Sequence, residues 1–119
     1  MAIKTKEQRI NAEKRRLNRI FATIEETKKD IVVGLIERAA FMRIQLEDLE
    51  NDLNEHGWTE RFKQAERCAE FERARPAGQS YISLNGNYQK IIKQLIDIMP
   101  EDANKDAAEE LMKFVNMRK

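Results

Sequence analysis

The sequence predicts an all-α protein, and two observations carry that prediction. Pro and Gly are scarce, with two and four residues in a chain of 119, while 36% of the residues are charged, a composition typical of helical soluble proteins. Apolar residues also recur at alternating spacings of three and four, the pattern of helices that pack along one another. We therefore expect one domain over residues 1–119, built from a basic N-terminal helix, a long central helix, a second long helix and a short C-terminal helix.

The first predicted element is a basic helix over residues 9–26, preceded by a flexible tail over residues 1–8. Thr27 and Asp30 have the spacing of a capping box, which predicts that the basic helix ends in a turn and that the next helix starts there. A continuous helix through this turn is the alternative. The basic helix has one apolar stripe, formed by Ile10, Leu17, Ile20, Phe21 and Ile24.

The central helix, predicted over residues 28–56, has a heptad seam formed by Val32, Leu35, Ala39, Met42, Leu46, Leu49 and Leu53. Three further apolar residues, Val33, Phe41 and Ile44, lie away from that seam at 100° per residue. Because one small chain would not easily cover them, we expect these three at an oligomer interface. The second half of the helix is acidic, and its carboxylates are expected to face water: Glu47, Asp48, Glu50 and Asp52.

Gly57 predicts the end of the central helix, since glycine readily adopts the left-handed conformation found there. Residues 57–75 form a variable connection, either a short amphipathic helix capped by Thr59 or an extended segment. Pro76 suits the first turn of a helix predicted over residues 76–99. Within it, Gly86 suggests close packing or a kink. A short C-terminal helix is expected over residues 102–117.

Composition argues against an enzyme. There is one cysteine, Cys68, and one histidine, His56, so we expect no internal disulfide, metal site or cofactor. No phosphate-cradling GxxxxGK[ST] loop is present. The longest apolar run, Ile31–Ile36, is far too short to span a membrane. The charged start, MAIKTKEQ, lacks a signal-peptide core, so a cytoplasmic location is expected.

The charges are unevenly distributed although the formal net charge is only +1. Residues 1–19 contain seven bases and two acids, whereas residues 45–72 contain nine acids and three bases. Bases clustered on one helix can bind DNA phosphates and release counterions; the alternative is a charged face that aids solubility. The candidate DNA-binding residues are Lys14, Arg15, Arg16 and Arg19, together with Lys6 and Arg9.

Arg38 and Arg43 are a separate pair, because they interrupt the apolar part of the central helix. They are expected either to pair with Glu37, Glu47 or a neighbouring subunit, or to line a polar channel. Pairing is the simpler interpretation, since buried charges are normally paired.

Three stretches resemble the small terminase subunits of tailed double-stranded DNA phages. Residues 37–49, ERAAFMRIQLEDL, followed by NEHG at 54–57, are similar to the central helix of that family. RPA at 75–77, Tyr81, Tyr88 and IKQLIDIMP at 92–100 resemble its C-terminal helix, and KRRLNRIF at 14–21 resembles its basic first helix. The chain departs from the family between Trp58 and Arg75, where it is rich in Ala, Glu and Arg, and at Leu84–Asn87.

The resemblance implies a DNA-packaging subunit without catalytic activity of its own, located in the host cell cytoplasm. Such proteins assemble as ring-like homo-oligomers, bind viral double-stranded DNA, and deliver it to a large terminase subunit that holds the ATPase and nuclease. Two other classes remain open: a small helical DNA-binding regulator, and a coiled-coil adaptor that does not bind DNA. The turn at residues 26–30 lacks the glycine that is typical of a helix-turn-helix. Its absence disfavours the regulator.

Overall fold

The computed structural model describes residues 4–24 and 26–99, and this part of the chain is mostly helical. The all-α prediction is therefore correct in its main feature but misses a small two-stranded antiparallel sheet. The predicted C-terminal helix, residues 102–117, lies outside the described residues. The elements in order are α1 (Lys6–Ile20), a 3-10 turn (Glu26–Lys28), α2 (Lys29–His56), β1 (Thr59–Phe62), β2 (Phe71–Ala74) and α3 (Pro76–Ile98).

Helix α1 begins three residues earlier than predicted because of a capping box. The Thr5 hydroxyl accepts a hydrogen bond from the Gln8 backbone N–H at 3.1 Å, and the Gln8 side chain accepts one from the Thr5 N–H at 2.9 Å. These two bonds satisfy backbone donors that a helix start would otherwise leave without partners. The expectation of a flexible tail is thus wrong for residues 5–8.

Helix α1 also ends earlier than predicted, at Ile20 instead of near residue 26. Phe21 leaves the helical conformation, with φ −101° and ψ 22°, yet both Phe21 and Ile24 remain buried in the core. The apolar stripe therefore continues through a turn, because tertiary packing outweighs local helix preference. The turn excludes a continuous helix. The capping box predicted for Thr27 is wrong, since the cap position of α2 is Lys28 and no side chain bonds there.

Helix α2 lies between α1 and α3 and packs against both. The seam residues seven apart, Val32, Ala39, Leu46 and Leu53, are buried, and the intervening seam positions are half-buried. Ile36, Ala40 and Ile44 are buried on a second side, which explains why apolar residues occupy more than one face. The protomer itself covers these two sides of α2, whereas Val33 and Phe41 remain exposed.

The three helices run antiparallel to their neighbours in the chain. Arg9 contacts Asp48 near the C-terminal end of α2, and Tyr81, near the start of α3, donates to Glu50 at 2.9 Å. Each helix contributes one of the largest fully buried side chains, which are Leu17, Leu46 and Leu95. All three belong to a single apolar cluster, so the described helices share one core.

Strands β1 and β2 form a hairpin in the segment for which the sequence left two alternatives, and the extended one is correct. Phe62 pairs with Phe71 and Glu60 with Arg73 in the antiparallel register. The two phenyl rings meet edge to face with centroids 5.7 Å apart. The Arg73 guanidinium lies 3.5 Å from the Phe62 ring centroid and pairs with Glu60 at 2.7 Å. These cross-strand contacts stabilise a sheet that has only two strands.

Arg75 ties the base of the hairpin to the end of α2. Its guanidinium donates to the Gly57 carbonyl at 2.6 Å and pairs with Asp52 at 2.8 Å. Gly57 has a φ of 82°, the positive value expected of a glycine that ends a helix. Trp58 packs edge to face on Tyr81, with ring centroids 6.0 Å apart. The connection between α2 and α3 is therefore fixed at both ends.

Helix α3 begins with Pro76 in its first turn, as predicted, and ends at Ile98. Its two glycines have different surroundings. A Cβ atom at Gly78 would lie 2.8 Å from the Trp58 ring, whereas one at Gly86 would have no atom within 4 Å. The expected close packing at Gly86 is thus not found in the protomer, and the helix runs through it from Pro76 to Ile98.

Replacing Gly86 by alanine should stabilise the protein. Alanine is favoured over glycine inside a helix by about 1 kcal/mol, and the new methyl group has open space. For a chain of 119 residues that gain corresponds to a rise of about 4 °C in the melting temperature, measurable by circular dichroism. The matched control is Gly78→Ala, which should lower the melting temperature because its Cβ meets the Trp58 ring. A lower melting temperature for Gly86→Ala would contradict the open surroundings.

Candidate nucleic-acid interface

The first turns of α1 carry two cations that bind the acidic half of α2. The Arg9 guanidinium contacts Asp48 at 2.8 Å and Glu47 at 3.1 Å. The Lys6 ammonium lies 3.2 Å from Asp48 and donates to the Gln45 side chain at 2.7 Å. These bonds join residues about 40 positions apart in sequence. Lys6 and Arg9, which were predicted to bind DNA, are therefore engaged within the protomer.

The acidic side chains of α2 therefore contact other parts of the protomer and do not only face solvent. Besides Glu47 and Asp48, Asp52 pairs with Arg75 and Glu50 accepts a hydrogen bond from Tyr81. All four carboxylates are half-buried. The prediction that they face water is wrong, because it treated α2 alone and could not include cations brought by the other helices.

Arg16, another predicted DNA-binding residue, is held by a neighbour on its own helix. Its guanidinium makes two bonds to the Glu13 carboxylate, at 2.7 and 2.8 Å. Glu13 is only 8% exposed, so this ion pair is mostly withdrawn from water. A two-bond pair of this kind is specific in geometry, and it makes Arg16 less available to an external phosphate.

The remaining predicted cations of α1 are Lys14, Arg15 and Arg19. Arg15 and Arg19 are exposed and Lys14 is half-exposed. None of the ion pairs within residues 4–24 and 26–99 involves these three. Arg15 and Arg19 are four residues apart, which places them on the same side of the helix. We call Lys14, Arg15 and Arg19 the open cations of α1.

Arg43 of α2 is buried inside the protomer, with 3% of its surface exposed. It forms an ion pair with Glu47 at 3.7 Å, so the predicted pairing is confirmed for this arginine. Its burial rules out a position lining a channel between subunits. Arg38, by contrast, is exposed, and no ion pair within the described part of the chain includes it. The expected pairing of Arg38 with Glu37 or Glu47 is not found.

Tyr88 brings α3 into contact with these charges. It is buried, and that burial is the main reason why its pKa is raised above the ordinary tyrosine value. Arg43, Glu13 and Arg16 all lie close enough to influence it electrostatically. In the sequence, Tyr88 belongs to an apolar stripe with spacings of three and four, formed by Tyr81, Leu84, Tyr88, Ile91, Leu95 and Ile98, and its spacing there marks it only as apolar. Its hydroxyl was a signal that the stripe meets polar groups, since a buried tyrosine usually places its hydroxyl near a partner.

A cavity of about 310 Å³ lies between α1 and α2, beside these charged residues. Five cationic side chains line it, together with two carboxylates, Glu13 and Glu47. Sequence analysis did not predict this cavity, because its lining comes from positions some 30 residues apart. The five cations are Lys4, Arg9, Arg16, Arg19 and Arg43.

The predicted oligomer interface divides into covered and uncovered residues. Val33 and Phe41 are 51% and 52% exposed, whereas Ile44 is 4% exposed. Ile44 is buried within the protomer, so its assignment to an intersubunit surface is corrected. Val33, Glu37 and Phe41 follow one another at intervals of four and thus form one stripe on α2. This open face of α2 also includes Arg38, which is exposed on the same half of the helix.

Residues 4–24 and 26–99 contain neither a candidate metal site nor a helix that could span a membrane. No group of three or more His, Cys, Asp or Glu side chains there has a geometry that could hold a metal ion. None of the helices in that part combines the length and the apolar character needed to cross a membrane. His56 is the last residue of α2, where it was expected, and lies 3.9 Å from Asp52.

The contact between Arg9 and Asp48 should make stability depend on pH in acid. The hydrogen bond from Arg9 is the largest effect that lowers the pKa of Asp48 below its ordinary value of 3.8. The stabilisation is therefore complete above that value and is lost as the pH falls through the lower folded-state pKa. Asp48→Asn should lower the free energy of unfolding at pH 7 by about 1 kcal/mol or less, because the pair is partly exposed.

Urea unfolding of the wild type and Asp48→Asn at several pH values tests this expectation. The difference between them should shrink as the pH drops below 3.8. Asp97→Asn serves as a control, since Asp97 is exposed on α3 and takes part in no ion pair among the described residues. A constant difference between wild type and Asp48→Asn at every pH would contradict the role of this pair.

Comparison with known proteins does not assign the chain to a family. No family model, no curated protein and no solved structure matches the chain. The features of the protein that bear on its function are therefore the open cations of α1, the basic cavity and the open face of α2.

Proposed function

We propose that this protein is a DNA-packaging subunit of the small terminase type, without catalytic activity. In this proposal it binds viral double-stranded DNA through α1, assembles with further copies as a ring, and delivers the DNA to a large terminase subunit whose motor and nuclease it regulates. The observation that carries the proposal is the set of open cations of α1, Lys14, Arg15 and Arg19. They stay available after the protomer's own acids have bound the other cations of that helix.

The packing of α1 supports a role in phosphate binding. Leu17 lies among the open cations in sequence and is fully buried, so that the helix is anchored on α2 while the cations remain outside. A cation held on an anchored helix loses less conformational freedom when it binds than one on a mobile tail. Guanidinium groups match the oxygens of a phosphate. Such contacts supply affinity for duplex DNA but carry no sequence information.

The open face of α2 supports self-association. Val33 and Phe41 are large apolar residues that remain about half exposed in the protomer. Glu37 lies between them on the stripe, and Arg38 is exposed nearby, so apolar and oppositely charged groups share one surface. A second copy of the chain could cover the apolar groups and pair the charged ones, as intersubunit contacts commonly do.

The regulator alternative is less well supported. In a helix-turn-helix, the second helix lies in the major groove and must present an accessible face to the bases. Here the face of α2 that stays accessible carries the large apolar residues Val33 and Phe41, which cannot make hydrogen bonds to base edges. The adaptor alternative is distinguished by experiment, because an adaptor would not bind duplex DNA even at low salt.

The salt dependence of DNA binding tests the role of the open cations. Removing their charge in Lys14→Gln/Arg15→Gln/Arg19→Gln should flatten the slope of log affinity against log salt by up to about 2.7 for each chain engaged, at about 0.9 per phosphate contact. The loss should be similar on viral and random duplexes, because phosphates carry no sequence information. Fluorescence anisotropy with labelled duplexes at several salt concentrations measures both quantities.

Lys90→Gln/Lys93→Gln is the control for this experiment. Both lysines are exposed on α3, and neither forms an ion pair in the described part of the chain. This variant should keep most of the wild-type slope. An unchanged slope in the triple variant, or a larger effect in the control, would place the DNA site elsewhere. No binding of wild type at low salt would favour the adaptor.

Phe41→Glu should disperse the oligomer while leaving the protomer folded. The side chain is 52% exposed in the protomer, so glutamate can face water there. In an interface the same carboxylate would be buried without a partner, at a cost of about 3–5 kcal/mol. Multi-angle light scattering gives the mass, and circular dichroism checks the fold. Asn51→Glu, at an exposed position on the other half of α2, should leave the mass unchanged. A monomeric wild type at micromolar concentration would contradict the ring.

A further inference from the structure

We propose that the hairpin formed by β1 and β2 in one copy of the chain docks on the open face of α2 in the next copy. This contact rests on the proposed self-association and specifies which two surfaces meet. Both surfaces are uncovered in the protomer, since Val33 and Phe41 on α2 and Phe71 on the hairpin are each about half exposed. The contact joins two different patches of the same chain.

The hairpin has an apolar face without cover. Phe62 and Phe71 are opposite each other in the strand register, so their side chains lie on the same side of the sheet, where the two rings meet edge to face. A hairpin of two strands is at best marginally stable in water and normally packs on a helix or on further strands. Neither strand packs along a helix of its own protomer. A helix from a second copy supplies the missing cover.

The hairpin cannot reach the open face of its own α2. Its base is fixed at Gly57, because Arg75 binds the end of α2 there. At a rise of about 1.5 Å per residue, Phe41 lies about 24 Å and Val33 about 36 Å along α2 from Gly57. The extended segment from Gly57 to Phe62 spans at most about 17 Å. The two apolar patches therefore meet only between copies.

The charges beside the two patches are complementary. Each surface carries one acid and one base that are exposed and take part in no ion pair among residues 4–24 and 26–99. On α2 they are Glu37 and Arg38. On the hairpin they are Lys63 and Glu72, each next to a phenylalanine in sequence. Pairs of opposite charge can thus form across the contact, and they favour one orientation of the partner.

A contact between two different patches is heterologous. The hairpin of each copy occupies α2 of the next, so every added copy leaves one free hairpin and one free α2 face at the ends of the row. Such contacts close into a ring when the rotation between copies permits, whereas a two-fold dimer uses the same patch on both copies. The hairpin contact therefore provides a way to build the ring of the proposed function.

Light scattering of two variants, alone and mixed, tests the contact. Phe41→Glu removes the α2 surface and keeps the hairpin, and Phe71→Glu does the reverse. Each variant alone should have the mass of one chain. An equal mixture should form a dimer and nothing larger, because it contains only one intact pair of surfaces. Ile82→Glu, at an exposed position on α3, is the matched control and should keep the wild-type mass. Circular dichroism checks the helices of each variant.

Cross-linking from Cys68 locates the contact in the wild type. This exposed residue lies in the loop between β1 and β2 and is the one cysteine of the chain, so a maleimide benzophenone attaches there alone. In a mixture of unlabelled and isotope-labelled protein, the photo-cross-links should join different copies and end on residues 33–41. Cross-links that stay within one chain, or that end on another part of the partner copy, would contradict the contact.

The results separate this contact from the proposed ring. If Phe41→Glu is dispersed but Phe71→Glu keeps the wild-type mass, the hairpin contact is wrong while assembly through α2 stands. The same conclusion follows if the mixture of the two variants stays monomeric. A monomeric wild type refutes both the ring and the hairpin contact.

Discussion

The packing of α1 and α3 against α2 is the constraint on which the rest of the structure depends. Leu17, Leu46 and Leu95 come from the three helices and are fully buried in one core. Burial of a leucine side chain contributes about 1.5–3 kcal/mol, so these residues hold the helices in a defined arrangement. Because Leu17 faces α2, the orientation of α1 about its own axis is fixed. Some of its charged residues therefore lie at the interface with α2, and the others face water.

This division of the charged residues explains the uneven distribution of charge along the sequence. The acidic half of α2 binds Lys6 and Arg9 at the start of α1, so much of the apparent charge separation is neutralised inside the protomer. The positive charge that remains is placed on the second half of α1 and around the cavity.

Much of the fold could be predicted because its signals are local. The buried residues seven apart on α2, the positive φ of Gly57 and Pro76 at the start of α3 all follow from neighbouring sequence. The early end of α1 at Ile20 and the hairpin could not be predicted with the same certainty, because tertiary contacts decide them. The site was predicted least well. The bonds of Arg9 to Asp48 and the burial of Arg43 join distant positions, and they decide which predicted cations remain available.

The central claim is that α1 is a fixed helix that presents Lys14, Arg15 and Arg19 to a duplex. Hydrogen–deuterium exchange, measured by segment in the free protein and with saturating duplex, tests it most directly. Amides around Leu17 should already be protected without DNA, because they belong to a helix anchored in the core. Added DNA should increase protection chiefly on α1. Exchange of α1 at the rate of an unfolded segment in the free protein, or new protection confined to α3 or the hairpin, would contradict the account.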